Sequence, residues 1–148
     1  MELARHSAYR LRRRVQFHEV DSVGIVHFSC YFRYMEEAEH ALWREAGLSI
    51  APRERDIGFP RVATSFDFAQ PLRFEDECDI LIRIVALGRS SIRYACTISR
   101  GSDRIAEGTL TVACVRKDER GKMRAIAIPD DIRARFDIAP GAAASHAG

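Results

Sequence analysis

Between Cys30 and Ala46 the apolar residues recur at helical spacing, and they do so over the longest such run in the chain. Tyr31, Tyr34, Met35, Ala38, Leu42 and Ala46 follow an i, i+3, i+4, i+7 stripe, while Arg33, Glu36, Glu37, His40 and Arg44 fall mostly elsewhere. This predicts a helix of about 25 Å, long enough to lie across a sheet. Ser29 stands where an N-cap is wanted, and Gly47 suits the left-handed residue that ends a helix. The tyrosines and the methionine of the stripe read first as packing residues.

Around this helix the chain alternates with period two, the mark of strands. Tyr9, Leu11, Val15 and Phe17 share one face, Arg10, Arg12, Arg14 and Gln16 the other, and Arg13 interrupts the apolar side. Ala51 to Pro60 is a connection with one short helical turn expected near Arg53 to Asp56. Val62 to Ala69 alternates again, and Pro71 marks an edge or a bend. Cys78 to Leu87 is apolar on both faces, with Ile80, Ile82 and Ile84 against Leu81, Val85 and Leu87. Such a strand needs cover on both sides. One helix covers one face, so a second subunit is expected on the other. Gly88-Arg89-Ser90 predicts a hairpin into Ser91 to Arg100, and Gly101-Ser102-Asp103 the turn into a long last strand, Arg104 to Lys117. Asp118 to Gly121 breaks it, and a short closing helix is expected between Ile128 and Phe136. One strand, one long helix and a run of antiparallel strands make an α+β domain.

The chain of 148 residues suits one domain, drawn here at residues 8–136 with flexible termini at 1–7 and 137–148, the last of these rich in Ala and Gly. Its 47% hydrophobic and 30% charged residues exclude a disordered chain. No apolar run approaches the ~20 residues of a membrane helix, and the first residues lack a signal peptide's apolar stretch, so a cytoplasmic location without membrane contact is expected. A net charge of +2 argues against nucleic acid, and the Arg10–Arg14 cluster has no interleaved aromatic platform. Cys30, Cys78, Cys96 and Cys114 are widely spaced and read as small buried hydrophobes. His27 and Cys30 alone do not make a zinc site, so no metal is expected.

Ahead of the helix, Phe17 to Tyr31 reads as a strand end, a sharp turn carrying Asp21 and Gly24, and a helix start. A carboxylate there lies near unpaired backbone N–H groups, which is one way to build a site for developing negative charge. Asp before a turn is also common for its own Asx-turn bonds. The run Asp-x-x-Gly-x-Val, followed by Tyr31, the helix with Met35-Glu36-Glu37-Ala38 and the ending Glu45-Ala46-Gly47-Leu48, resembles the hotdog-fold acyl-CoA thioesterases of the 4-hydroxybenzoyl-CoA thioesterase type.

The resemblance implies a curled antiparallel sheet wrapped around one long central helix, and a homodimer or homotetramer with sites at the subunit interface. It implies hydrolysis of an acyl-CoA or aroyl-CoA, or an acyl-carrier thioester, with coenzyme A entering only as part of the substrate and no cofactor. Asp21 would act as nucleophile or general base, beside Gly24, with the backbone N–H of Phe28 as oxyanion donor. Val26, His27, Tyr31, Tyr34 and Met35 would contact the acyl group, and Arg89, Arg116 and Lys117 the coenzyme's phosphates. Many relatives carry His or Tyr seven residues after the Asp, where this chain has Phe28. A non-catalytic acyl-thioester-binding protein and a hotdog hydratase or dehydratase are the alternatives.

Overall fold

A computed structural model describes residues 4–141. Strand β1 (Ala8–Arg14) leads through a single 3₁₀ turn (Phe17–Glu19) and a loop to helix α1 (Phe28–Glu45). Strands β2 (Arg61–Phe68), β3 (Glu77–Leu87), β4 (Ser91–Arg100) and β5 (Asp103–Ala113) follow, then the small hairpin β6 (Val115–Lys117) and β7 (Met123–Ala125), and the short helix α2 (Asp130–Arg133). Five strands form one antiparallel sheet in the order β1-β3-β4-β5-β2, with β6 and β7 paired apart from it.

Helix α1 lies against one face of this sheet, its expected stripe buried. Tyr34, Ala38, Leu42 and Trp43 are fully enclosed, as are Ile80, Ile82 and Ile84 of β3 and Ile92, Tyr94 and Ile98 of β4. Each of the leucine and isoleucine side chains among them stabilises the fold by about 1.5–3 kcal/mol on leaving water. The helix ends as Gly47 predicts. Its φ is +78°, Gly47 N donates to Arg44 O at 2.9 Å, and Leu48 N donates to Trp43 O at 2.9 Å, the paired bonds of a Schellman motif. At the other end the cap is His27 rather than Ser29. The imidazole Nδ1 accepts from Ser29 N at 3.3 Å, and the helix starts at Phe28, two residues before the expected start at Cys30.

The structure departs from the sequence expectations elsewhere. Phe17 is not on the inner face of the first strand, which stops at Arg14; it sits on the 3₁₀ turn, 74% exposed. The long last strand is broken at Cys114, whose N–H turns to Ser90 O at 2.7 Å, and its end pairs locally with β7. Residues 53–56 form turns without a helix. The outer face of β3 alternates charged and apolar residues, Asp79, Leu81, Arg83 and Val85, and Val85 is covered within the chain by Ala139. The packed unit is therefore longer than 8–136: Asp137 N donates to His6 O at 3.0 Å and Ala139 N to Ile84 O at 2.8 Å. The rest of the expected flexible ends, 1–3 and 142–148, lies outside the described residues. All four cysteines are buried and free. No described helix is long and apolar enough to cross a membrane.

Arg13, the interruption in the first strand's apolar face, explains how the turn before α1 is held. Its guanidinium takes both oxygens of the buried Glu19 at 2.7 and 2.5 Å, bonds Glu37 at 2.6 Å, and lies 4.3 Å over the Tyr34 ring. Glu19 also accepts from the Tyr34 hydroxyl at 2.9 Å and from Gln16 N at 2.7 Å. Burial pushes the Glu19 carboxyl up, but the bonds from Arg13, the Gln16 N–H and Tyr34 outweigh it and hold it below the usual carboxylate range. Burial and the Glu19 charge push the Tyr34 phenol up, so it stays a donor.

Replacing Arg13 with Met strands a buried carboxylate and should cost about 3–5 kcal/mol in urea unfolding. Because Glu19 titrates lower in the folded chain, its ionised form stabilises above the ordinary carboxylate pKa of about 4.3, and that contribution is lost as pH falls through the folded value. The stability gap between wild type and Glu19→Gln should be widest at neutral pH and narrow toward pH ~3 in thermal melts.

Candidate active site

The segment Val20–Val26 is a tight hairpin. Asp21 N donates to Ile25 O at 2.8 Å and Gly24 N to Asp21 O at 3.0 Å, with Val20 bridged to Val26. Three residues therefore close the loop, and Gly24 takes the left-handed position at φ +89° that such a loop requires. A side chain there would meet open space but a strained backbone. The loop is pinned from two sides: Val26 N donates to Leu72 O at 2.8 Å, and His27 N to Glu19 O at 2.9 Å. The second bond ties the start of α1 to the Arg13–Glu19 pair.

Asp21 makes the expected Asx-turn bonds, but with one oxygen only. Its Oδ1 accepts from Val23 N at 2.8 Å and Ile25 N at 3.4 Å; Oδ2 meets no donor among the described residues. The N–H of Phe28, first in the helix, likewise meets no acceptor among the described residues, as expected at a helix N-terminus. Asp21 and Phe28 line one cleft of about 460 Å³ together with Ile25, Val26, Tyr31, Phe68, Ala69, Gln70 and Pro71. Its wall is aromatic. The Tyr31 and Phe68 rings meet edge to face at 5.0 Å, and Phe28 and Phe68 are 62% and 49% exposed.

Of the residues singled out in the sequence, Asp21, Val26, Phe28 and Tyr31 thus come together, with Gly24 in the turn beneath them. His27 caps the helix, its Nδ1 2.8 Å from Ser29 Oγ, and is not in the cleft lining. Tyr34 and Met35 lie in the interior, where Tyr34 serves Glu19. Arg89, Arg116 and Lys117 sit at the other end of the sheet. The cleft adjoins the Phe68–Ala106 pair, whereas these residues flank the Ser91–Ala113 pair, seven residues or about 23 Å along β5. Within one chain they do not reach Asp21.

Sequence reasoning passed over the segment Phe68–Pro71, which forms the far wall. Ala69 N and Gln70 N both donate to Ile105 O, at 2.8 and 3.2 Å, and Arg100 reaches Pro71 O at 3.3 Å. Pro71 was the only local signal, and it marks a bend without saying what the bend lines. Glu19 carries no sequence signal of its role either, because its partner Arg13 looks like a flaw in a strand.

A family model described as the thioesterase-like superfamily matches residues 15–136. A protein of Aquifex aeolicus (strain VF5) named as an esterase is 32% identical over 123 residues, spanning 82% of this chain and 91% of the relative. A 1,4-dihydroxy-2-naphthoyl-CoA hydrolase of Synechococcus sp. (strain CC9311) is 30% identical over 132 residues, spanning 83% of this chain and 85% of the relative. Among solved structures, the 4-hydroxybenzoyl-CoA thioesterase of Pseudomonas sp. strain CBS-3 shares the fold, with a TM-score of 0.75 at 23% identity over 86% of this chain and 97% of that one. One long helix in a curled five-stranded sheet, a matching family model over most of the length and relatives of this similarity place the protein: the chain belongs to the thioesterase-like superfamily and is a hotdog-fold thioesterase.

Proposed function

We propose that the protein hydrolyses an acyl-CoA thioester with an apolar or aromatic acyl group, using Asp21 as its reactive carboxylate. The observation that carries this reading is the pairing of an uncommitted Asp21 oxygen with an uncommitted helix N-terminal N–H on one aromatic-walled cleft. The thioester carbonyl would lie between them. Attack on the carbonyl carbon, by Asp21 Oδ2 directly or by a water that Asp21 deprotonates, turns the carbonyl oxygen into an oxyanion. The Phe28 N–H, at the positive end of α1, stabilises that charge; one such donor is commonly worth about 10²–10³ in rate. Collapse expels the thiolate of coenzyme A and leaves the free acid, directly or after hydrolysis of the anhydride on Asp21.

The relative that hydrolyses 1,4-dihydroxy-2-naphthoyl-CoA supports an aromatic acyl group, as does the Tyr31–Phe68 wall. A homo-oligomer fits the same reading. Strand β2 ends the sheet with an unpaired edge and leaves Val62 59% exposed, a surface that a second copy would extend. In such an assembly Arg89, Arg116 and Lys117 would serve the phosphates of a coenzyme bound at another subunit's cleft.

Asn at position 21 keeps an oxygen for the Val23 and Ile25 N–H groups but has no nucleophilic or basic atom. Asp21→Asn should therefore keep its melting temperature and lose at least ~10²-fold in kcat, measured by thiol release from acyl- and aroyl-CoA substrates. Equal rates in the two proteins would remove Asp21 from the chemistry. Light scattering should give at least twice the 16.8 kDa chain mass.

A further inference from the structure

We propose that Phe66, a residue outside the cleft, sets how large an acyl group the cleft accepts. The inference rests on the thioesterase reading for what the cleft binds, but the aromatic geometry stands by itself. Phe66 lies in β2 on the helix-facing side and forms the hub of a ring cluster. Its centroid is 5.1 Å from Phe32, 6.0 Å from Tyr31 and 6.1 Å from Phe68. Tyr31 and Phe68 are cleft walls; Phe66 packs on both without lining the cleft itself. Two rings that a third ring backs cannot part to admit a longer chain, because close-packed side chains yield only when a neighbour leaves.

The ring can lie there because its cross-strand partner is Gly108. A Cβ added at Gly108 would stand 2.7 Å from Phe66 Cε1 and 2.7 Å from Ser65 O. The glycine is therefore a seat: it leaves room for the Phe66 ring over β5 while that ring packs with Tyr31, Phe32 and Phe68. An aromatic ring laid over a cross-strand glycine recovers the packing the glycine lacks. Phe66 is a positioning residue in this account, since it acts through Tyr31 and Phe68.

Two substitutions move the wall in opposite directions. Phe66→Leu removes ring volume behind Tyr31 and Phe68 and opens space continuous with the cleft. Gly108→Ala presses on the Phe66 ring and on the Ser65 carbonyl together, so the ring and its stretch of β2 shift toward Tyr31 and Phe68 as one. The test is calorimetric binding of non-hydrolysable S-alkyl thioethers of coenzyme A with short, medium and long chains, together with thiol release from the matching acyl thioesters. Expected for Phe66→Leu is a preference for the long chain over the short raised by about tenfold, the worth of roughly two more buried methylenes. Gly108→Ala should shift the preference toward the short chain. Chain-length profiles that match the wild type, even with lowered melting temperature, would show a structural role only and overturn the proposal. Absence of thiol release from the wild type, with binding profiles shifted as stated, would overturn the hydrolytic reading and leave this one supported.

Discussion

The buried contact between Arg13 and Glu19 joins three pieces of chain through one cluster of charge and hydrogen bonds. Arg13 comes from β1, Glu19 from the 3₁₀ turn, and Tyr34 and Glu37 from α1. The carbonyl of Glu19 then receives the His27 N–H, so the start of α1 is fixed relative to the turn that carries Asp21. A charged pair inside a protein is weak evidence for stability by itself, because desolvation offsets much of the attraction. Here the geometry satisfies the lone pairs of Glu19 with several donors, so the pair holds position.

Placement matters because each group is ordinary. A carboxylate in a hairpin and an N–H at a helix start occur in many proteins. What the fold adds is that both border one apolar cleft, with Phe68–Pro71 closing the opposite side. The same sheet separates the cleft from Arg89, Arg116 and Lys117, which collect at the other end. A single chain therefore holds Asp21 and the cleft at one end of the sheet and Arg89, Arg116 and Lys117 at the other, with Arg100 on the cleft's side.

The lining also shows why sequence spacing overcounts contacts. Tyr31, Tyr34 and Met35 share the helix stripe, yet only Tyr31 reaches the cleft, because the stripe is wider than the opening and its remainder meets β3 and β4. Conversely, Phe66 and Phe68 are two residues apart on one strand face, yet only Phe68 lines the cleft. Gly108, from another strand, leaves the room in which the Phe66 ring lies.

Local rules determined much of the protein in advance. Helical spacing between Tyr31 and Ala46, Gly47 as its stop, the strand periods of β3, β4 and β5, and the Asp21–Gly24 turn are short-range properties, so they were legible in order along the chain. The α+β architecture followed from their succession, and the motif carried the family. Tertiary structure alone decided that Arg13 turns inward, that Val85 is covered by Ala139, that the last strand breaks at Cys114 and that Phe68–Pro71 faces Asp21. All but the first depend on a partner tens of residues away, and even Arg13, six residues from Glu19, needs Tyr34 and Glu37 of α1 beside it; the free energy of a buried charge, a packed ring or a sheet edge is set by what surrounds it rather than by its neighbours in sequence.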